Sequence, residues 1–267
     1  MTPSQILDAK RRLESSLAED LERYRRTLVR AFVRQYAAGD GILNANDDNE
    51  SLSKTLLTHY RRVGDEFDDE IADQLPADVA ITSDERSELA ALLAAWYVIR
   101  ADDQSKIISD TTNTNITQSL VVAMESAPTL DNRTVAVTAG ANLNRLIASR
   151  IGGIAATETQ ASAEFGREQE AQVLTNGLGP SKQWFTMGDD RVRFDHVGAD
   201  GQIVPANETF LVGGERLNHP GDMSNGATIG NVAGCRCTVA YDVNGIIDNR
   251  RELLVIRIER QLDGTLP

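Results

Sequence analysis

The sequence is poor in cysteine, histidine and aromatic residues: its 267 residues include two cysteines, three histidines and 5% aromatics. Two cysteines separated by one residue, Cys235 and Cys237, cannot build a disulfide framework, which predicts a reducing compartment. No apolar run approaches the roughly 20 residues that span a bilayer, and the first residues lack the basic head and apolar segment of a secretory signal. These absences exclude the disulfide-rich and membrane-spanning classes, and they predict a cytoplasmic protein with no membrane partner.

Negative charge is abundant: 40 acidic residues face 27 basic ones, which gives a formal net charge of -13. This balance argues against the whole chain gripping nucleic acid through its phosphates, and it predicts no specific nucleic-acid site. The excess is concentrated in residues 40–80, where eleven acidic residues face three basic ones. A solvated surface is the usual role of such a segment, and a docking surface for a basic partner or a patch that repels DNA is the alternative.

Helices are predicted for the first two thirds of the chain. Over residues 1–36 apolar side chains recur every three or four positions, as on one stripe of an amphipathic helix; they are Leu13, Leu17, Leu21, Tyr24, Leu28 and Phe32. Further helices are predicted over residues 51–75, 107–126 and 134–166. Thr82 and Glu85 form a capping-box pair ahead of an apolar run at residues 89–99.

The pattern changes after the breaker cluster at residues 176–180, where glycine, proline and asparagine begin to separate short apolar pieces. The strand-length pieces are 184–185, 202–204, 210–212, 238–243 and 253–258. The sequence therefore predicts an α+β fold, with an extended helical part followed by a small loop-rich module. We divide it into a helical assembly or docking region (1–104), a helical lead-in (105–175) and a C-terminal module with short strands (176–267).

The C-terminal module holds most of the rarer side chains. In an extended strand the two thiols of Cys235-Arg236-Cys237 point to one side of the backbone, so both sulfurs reach one ion. A soft ion such as Zn²⁺ accepts two thiolates and an imidazole, with His196 or His219 completing the set, or Asp222 in its place. The alternative is two small buried apolar residues and two surface histidines, since this spacing is shorter than that of most structural zinc sites.

A catalytic interpretation takes His196 as a general base beside Asp195 or Asp222. Alternation over residues 191–196 predicts an extended segment, with His196 on the opposite side from Arg191 and Arg193. No strained serine elbow, glycine-rich phosphate loop or helix with paired metal-binding histidines accompanies it. Ion pairs that brace a loop-rich fold explain the same residues, so we predict no enzyme.

The order of these motifs resembles the phage Mu F-like family of minor head (head morphogenesis) proteins over roughly residues 105–245. His196, Asp222, Cys235 and Cys237 take part in the resemblance. The other residues that carry it are Glu158, Lys182, Trp184, Asp190, Arg193, Asp200, Gly201, Phe210 and Pro220. The sequence departs from the family pattern at two positions. Ala156 stands where the family usually has arginine, and Gly234 stands where asparagine commonly precedes Cys-Arg-Cys.

The resemblance implies a component of a tailed-phage head or phage-like particle, located in the virion near the portal and in the host cytoplasm during assembly. Its implied partners are the portal protein, other head proteins and sibling copies in an oligomer. Its implied role is head morphogenesis and, in some members, genome delivery. Two other hypotheses remain: a metal-dependent hydrolase or nuclease built on the His/Asp/Cys set, and a non-viral adaptor that reuses the module.

Overall fold

The computed structural model describes residues 3–68, 70–74, 81–126, 129–175 and 181–242. The chain is about 70% helical, with a small strand-containing module at its C-terminal end, and this α+β arrangement confirms the predicted fold class. The long helices are α1 (Pro3–Ala38), α2 (Asn49–Phe67), α3 (Ser83–Ser126) and α4 (Asn132–Thr175), with 3-10 turns at Ala45–Asp48 and Ala72–Gln74.

The helix ends follow the predicted local chemistry. The backbone N–H of Thr82 donates to Oε2 of Glu85 at 2.7 Å, and the N–H of Glu85 donates to Oγ1 of Thr82 at 3.2 Å, which confirms the capping box. α4 begins where Oδ1 of Asp131 accepts from the N–H of Thr134. α3 is longer than predicted because residues 100–106 contain no glycine or proline, so the run at 89–99 continues into the helix predicted from 107.

In the part of the chain that the structure describes, five short strands form two antiparallel sheets. The strands are β1 (Ser181–Phe185), β2 (Ile203–Pro205), β3 (Phe210–Val212), β4 (Glu215–Leu217) and β5 (Thr238–Tyr241). One sheet has the order β2-β1-β5, and the other is the hairpin of β3 and β4. The hairpin turns through Gly213 and Gly214, which both have positive φ, as a two-residue turn that matches the strand twist requires.

Two short helices complete the module: α5 (Phe194–Ala199) and α6 (Ile229–Val232). The prediction of an extended segment over residues 191–196 is therefore wrong. His196 lies on a helix that packs against β3, so the sides inferred for Arg191 and Arg193 by alternation do not apply. The piece predicted at residues 253–258 lies outside the described residues.

The chain forms two compact units that differ from the three predicted regions. Unit 1 comprises Met1–Lys10, Val63–Ala95 and Thr157–Pro267, and unit 2 comprises Arg11–Arg62 and Trp96–Ala156. Each predicted region is one continuous stretch of sequence, whereas each unit combines segments that are distant in sequence. Among the described residues, no helix has both the length and the hydropathy to cross a membrane.

The core of unit 1 lies under the two sheets. Trp184 of β1 is fully buried, and its ring meets Phe210 edge-on at a centroid distance of 5.2 Å. In β1 the side chains alternate between buried and more exposed, and Lys182 and Trp184 are the buried pair. The other core residues include Ile71, Ala171, Leu174, Val212, Leu217, Val232 and Val239.

The core of unit 2 is built from helices alone. The predicted α1 stripe is buried, and within unit 2 its residues Leu28 and Phe32 pack with α3 and α4. Those helices contribute Ile116, Leu120, Ala123, Val135, Ala139, Leu143 and Ile147. An apolar stripe along three helices is the arrangement that period-3.6 patterning predicts.

Candidate metal site

Three side chains from the predicted metal set meet in unit 1: His196, Cys235 and Cys237. Their ligand atoms all lie within 4.8 Å of one another, and all three residues are buried. Nδ1 of His196 is 3.4 Å from Sγ of Cys237 and 3.5 Å from Sγ of Cys235. Two sulfurs and one imidazole nitrogen form a donor set that soft divalent ions accept, so this group could bind a metal ion.

Local structure explains why these three side chains meet. Cys235 and Cys237 lie in the extended stretch between α6 and β5, and both sulfurs reach the same imidazole, as their spacing predicted. β5 pairs with β1, so that Val239 lies opposite Trp184. The indole ring of Trp184 meets the ring of His196 edge-on at 5.8 Å. The imidazole is therefore held between the sulfurs and the core.

Asn231, at the third position of α6, orients the imidazole. Nε2 of His196 lies 2.8 Å from Oδ1 of Asn231 and 3.0 Å from its backbone oxygen. Both atoms are acceptors, so the arrangement favours a proton on Nε2 and leaves Nδ1 free to bind an ion. The amide of Asn231 in turn donates to the backbone oxygen of Val212 and to Oε2 of Glu215.

The two thiols differ in acidity. The hydrogen bond from Cys237, followed by that from His196, holds the pKa of Cys235 well below its usual range. The same contact with Cys235, together with burial, raises the pKa of Cys237. Burial alone lowers the pKa of His196, but the hydrogen bond and charge of Cys235 and the hydrogen bond of Asn231 together outweigh it and leave that pKa raised. Because the pKa of Cys237 is raised, an ion that binds both sulfurs must displace its proton.

Polar side chains of α4 hold the backbone that carries the thiols. Oγ1 of Thr157 accepts from the N–H of Gly234 at 2.9 Å, and Nε2 of Gln160 donates to the backbone oxygen of Cys237 at 2.6 Å. Glu164 accepts from the hydroxyl of Thr238 at 2.7 Å and from the N–H of Val239 at 3.2 Å. Thr157 therefore fixes the loop that contains Gly234.

A buried ionic network continues from this contact. Lys10 of α1 donates to Oε1 of Gln160 at 3.1 Å and forms an ion pair with Glu164. Arg167 bonds to Glu164 at 3.1 Å and to Glu70 at 2.8 Å. Because every member is buried, each charge needs its partner, and the network ties three distant segments of unit 1 together.

A small cavity of about 100 Å³ lies beside the three side chains. Its lining includes the three candidate ligands and residues from the loop before α5, among them Met187, Arg191 and Arg193. The guanidinium of Arg193 donates to the backbone oxygens of Asn231 and Ala233, so it braces α6. The cavity is large enough for water beside a bound ion.

His219 and Asp222 do not belong to this group, which corrects the wider metal set predicted from the sequence. Nδ1 of His219 lies 3.1 Å from the backbone oxygen of Pro220, and its Nε2 lies 3.8 Å from Oε2 of Glu168. Asp222 accepts from the N–H groups of Asn218 and Ser224, at 2.9 and 2.8 Å. Both residues shape the loop that passes close to α4, and the catalytic pairing of His196 with Asp222 has no support there.

The remaining predicted motif residues are mostly structural contacts. Lys182 is buried and donates to Oε1 of Glu168 and to the backbone oxygen of Asn218, both at 2.7 Å. Oδ1 of Asp200 accepts from the N–H of Thr186, and the N–H of Gly201 donates to the backbone oxygen of Trp184. Glu158, Phe210 and Pro220 are buried.

Asp190 is exposed, whereas its neighbour Asp189 binds Arg236 through two bonds of 2.8 and 2.6 Å. Sequence reasoning missed Asn231 and Gln160. Gln160 lies two residues after Glu158 on α4, next to the Thr157-Glu158 pair that the resemblance singles out, and this proximity was its only signal. A lone asparagine in a glycine-rich loop gives no signal at all.

In comparisons with known proteins, no family model, no curated protein and no solved structure matches this chain.

Proposed function

We propose that this chain is a minor head protein of a tailed phage or phage-like particle, which binds beside the portal and assists head morphogenesis. It acts in the virion head and, during assembly, in the host cytoplasm. The proposal begins from the ordered motifs between Glu158 and Cys237. It is supported by one observation: these residues are used to brace a single core.

The contacts of the motif residues favour a binding role over a reaction. Lys182 donates to Glu168 and to a backbone oxygen, and Arg193 donates to two backbone oxygens. Asp200 accepts from a backbone N–H. Each such group is committed to holding a loop or a strand. A module fixed in this way presents a rigid surface, which is what docking to a ring of portal subunits requires.

Zn²⁺ is the ion we assign to His196, Cys235 and Cys237. Zn²⁺ accepts tetrahedral sets of thiolate and imidazole ligands, whereas Mg²⁺ and Ca²⁺ prefer oxygen. Because thiols lie between α6 and β5 and the imidazole on α5, a bound ion would clamp three elements of the module. Its role in this proposal is structural, and it replaces part of the core that such a small module lacks.

Metal analysis of the purified full chain tests the assignment. We expect close to one zinc per chain, lost in Cys235→Ser and in His196→Gln and retained in the matched control His219→Gln. Cobalt substitution should give the charge-transfer absorption of thiolate ligands in the wild type and in the control. Metal-free wild type, or loss of zinc in His219→Gln as well, would contradict the assignment.

Co-purification with the portal protein encoded in the same gene cluster tests the main proposal. We expect the wild type to bind the portal and to be incorporated into particles. Cys237→Ser should lose thermal stability and incorporation together, because both depend on the same fold. A chain that never associates with portal or particles would overturn the proposal.

A metal-dependent hydrolase or nuclease remains the second candidate, and one observation favours it. Three protein ligands beside a cavity of about 100 Å³ leave room for a fourth, water ligand, the coordination that catalytic zinc uses. Arg191, which lines the cavity, would then face an anionic substrate.

Activity assays separate the two candidates. A hydrolase would cleave phosphodiester or peptide probes, and an Arg191→Gln variant would stay folded with reduced turnover. The head-protein proposal expects no zinc-dependent turnover in the wild type, with Arg191→Gln unchanged in stability and in portal binding.

A further inference from the structure

Positive charge is segregated in unit 2 of this acidic chain. Residues 23–38 of α1 contain five arginines, and residues 132–156 of α4 contain three more, with no Asp, Glu or Lys in either segment. Together they carry +8 in a chain of net charge -13. Chance mixing of 40 acidic residues would not leave both segments empty of them.

The two segments pack against each other as antiparallel helices. Arg25 bonds to Oδ1 of Asn144, and Gly140 lies under the side chain of Val33. Asn132 lies beside Gly39 at the end of α1. Rising numbers on α1 therefore meet falling numbers on α4. Val29 also lies against Gly140, so the facing positions are 25, 29 and 33 on one helix and 140 and 144 on the other.

The register of these contacts puts four arginines on one side. In a right-handed helix, each residue that follows a facing position is rotated by about 100° in the same sense. For two antiparallel helices side by side, these rotations bring the following residues to a common face. The residues are Arg26, Arg30 and Arg34 on α1 and Arg145 on α4, and we call this surface the arginine face.

The opposite face of the pair is the one that packs into unit 2. The residues that precede the facing positions, Phe32, Ala139 and Leu143, belong to the core with α3. The arginine face therefore points away from that core. All four arginines are exposed in the described structure.

The arginine face lacks internal neutralisation. Among the described residues, Arg26, Arg30 and Arg34 have no side-chain hydrogen bond or ion pair, and Arg145 donates only to the amide oxygen of Asn142. Glu22 lies four residues before Arg26, but it is paired with Arg25. Asp40 and Asp131 lie at the other end of the helix pair, and Asp131 already accepts from Thr134 and Thr129. Four like charges at this spacing repel one another until an anion binds.

The composition of the arginine face favours phosphate over a protein surface. Every cation is arginine, whose planar guanidinium matches phosphate in two-bond geometry. The residues between them are small or polar, such as Thr27, Ala141 and Ser149, and Val137 is the large apolar exception. A protein interface of standard size has an apolar, aromatic-rich centre, which is missing here.

The same composition favours a duplex over a single strand. Proteins that bind single strands stack bases on exposed aromatic rings. Tyr24 and Tyr36 are half-buried against the core, and Phe32 is fully buried. With the rings turned inward, the arginine face offers contacts to a backbone and none to bases.

We propose that the arginine face binds the phosphate backbone of duplex DNA without regard to sequence. Such binding is compatible with the absence of a base-specific site predicted above. It is local, because the rest of the chain is strongly acidic and repels the same DNA. It is independent of the portal proposal and of the metal.

Fluorescence anisotropy with a labelled duplex of about 25 base pairs tests the proposal on the full chain at low salt. The wild type should bind with an affinity that falls steeply as salt rises. In the triple variant R26Q/R30Q/R34Q the slope of log K against log salt should fall by about 3, with at least about tenfold weaker binding at 50 mM salt.

The matched control is K54Q/R61Q/K106Q, which removes the same net charge from other exposed positions of unit 2. Circular dichroism should show both variants folded, and the control should keep most of the wild-type slope. Equal losses in the two variants would overturn the proposal, because they would reflect net charge alone. It would be overturned equally by a wild type that ignores DNA but binds an acidic polypeptide such as polyglutamate.

Discussion

Unit 1 and unit 2 place their charges in opposite ways. Unit 1 buries six carboxylates and three cations, whereas the described residues of unit 2 include no buried Asp, Glu, Lys or Arg. Unit 2 instead packs apolar stripes inward and carries its arginines on the surface. α4 contributes to both units. The charged residues in its first half are all arginines, whereas its second half also has Glu158, Glu164, Glu168 and Glu170.

The difference teaches what each unit should be sensitive to. Where charges are buried in pairs, losing one partner leaves the other without solvent or counter-charge, so single substitutions and pH should dominate. Where apolar helices pack closely, shape should dominate and surface charge should matter little. Each experiment below challenges this contrast.

The largest effect is expected from Glu164→Gln in unit 1. Glu164 is fully buried and contacts Lys10, Arg167, Thr238 and Val239, so the neutral side chain leaves cations unpaired. The free energy of unfolding should fall by about 3–5 kcal/mol, measured by urea denaturation. The control Glu50→Gln removes an exposed pair with Lys54 and should leave the free energy of unfolding nearly unchanged. Similar losses in both variants would abolish the contrast.

The same residue makes unit 1 sensitive to acid. Burial alone raises the pKa of Glu164, but the charges of Lys10 and Arg167 outweigh it, so that pKa lies below its ordinary value of 4.5. Its stabilising contribution is therefore present above about pH 4.5 and is lost as the pH falls through the lowered value. The difference in unfolding free energy between wild type and Glu164→Gln should be largest near pH 7 and shrink below pH 4.5. A difference that is constant with pH would show that shape, and not charge, explains the loss.

The next effect concerns the metal site. Asn231→Ala removes the acceptor that orients His196, and zinc affinity should fall by about 10- to 100-fold, as measured by competition with a chromogenic chelator. Asn225→Ala is the matched control, because this residue contacts the loop of Asp222 and not the imidazole. If both variants bind zinc as tightly as the wild type, the orienting role of Asn231 is excluded.

A smaller effect is expected from two glycines of α4 in unit 2. A Cβ at Gly140 would overlap Cγ2 of Val33, whereas a Cβ at Gly152 meets nothing within 4 Å. Gly140→Ala should therefore lower the free energy of unfolding by about 1–2 kcal/mol through overpacking. Gly152→Ala should raise it by about 0.5–1 kcal/mol, because alanine favours the helix. Thermal unfolding of the two variants in parallel checks the opposite signs, and equal shifts would contradict close packing at Gly140.

The smallest effect concerns a local cap. Thr82→Ala removes one half of the capping box at the start of α3 and should cost about 1 kcal/mol. Hydrogen exchange should speed up at the first turn of α3 and remain unchanged in α4. An unchanged rate at that turn would mean that tertiary packing alone fixes the helix start.

Much of the helical architecture could be predicted because its signals are local. The α1 stripe from Leu13 to Phe32 and the Thr82–Glu85 cap depend on neighbours within a few residues, and both are confirmed. The thiol pair could be predicted for the same reason, since Cys235 and Cys237 are two residues apart. Which histidine lies beside the two thiols, His196 or His219, could not be predicted, because it depends on the tertiary fold.

The failures have physical causes. Residues 191–196 alternate in polarity, but His196 lies on α5, where hydrogen bonds to Arg193 close a helical turn. The stretch from Glu158 to Glu170 looks like a solvated helix because buried and exposed carboxylates have the same sequence pattern. Glu70 was counted in the acidic surface, yet it is buried against Arg167. The arginine face depends on the register between α1 and α4, which no single segment encodes.

The bond between Lys10 and Glu164 joins residues 154 positions apart, and the bond between Glu70 and Arg167 joins residues 97 positions apart. Unit 1 is thus assembled from three stretches of chain, so a recombinant fragment that begins at residue 157 would lack two of them. In it Glu164 would lack Lys10, Arg167 would lack Glu70, and Glu170 would lack two backbone N–H donors of the second stretch, so it should expand or aggregate when expressed alone. Folding of unit 1 also depends on contacts between distant stretches. The contact of Lys10 on α1 with Glu164 on α4 cannot form until α4 has left the ribosome.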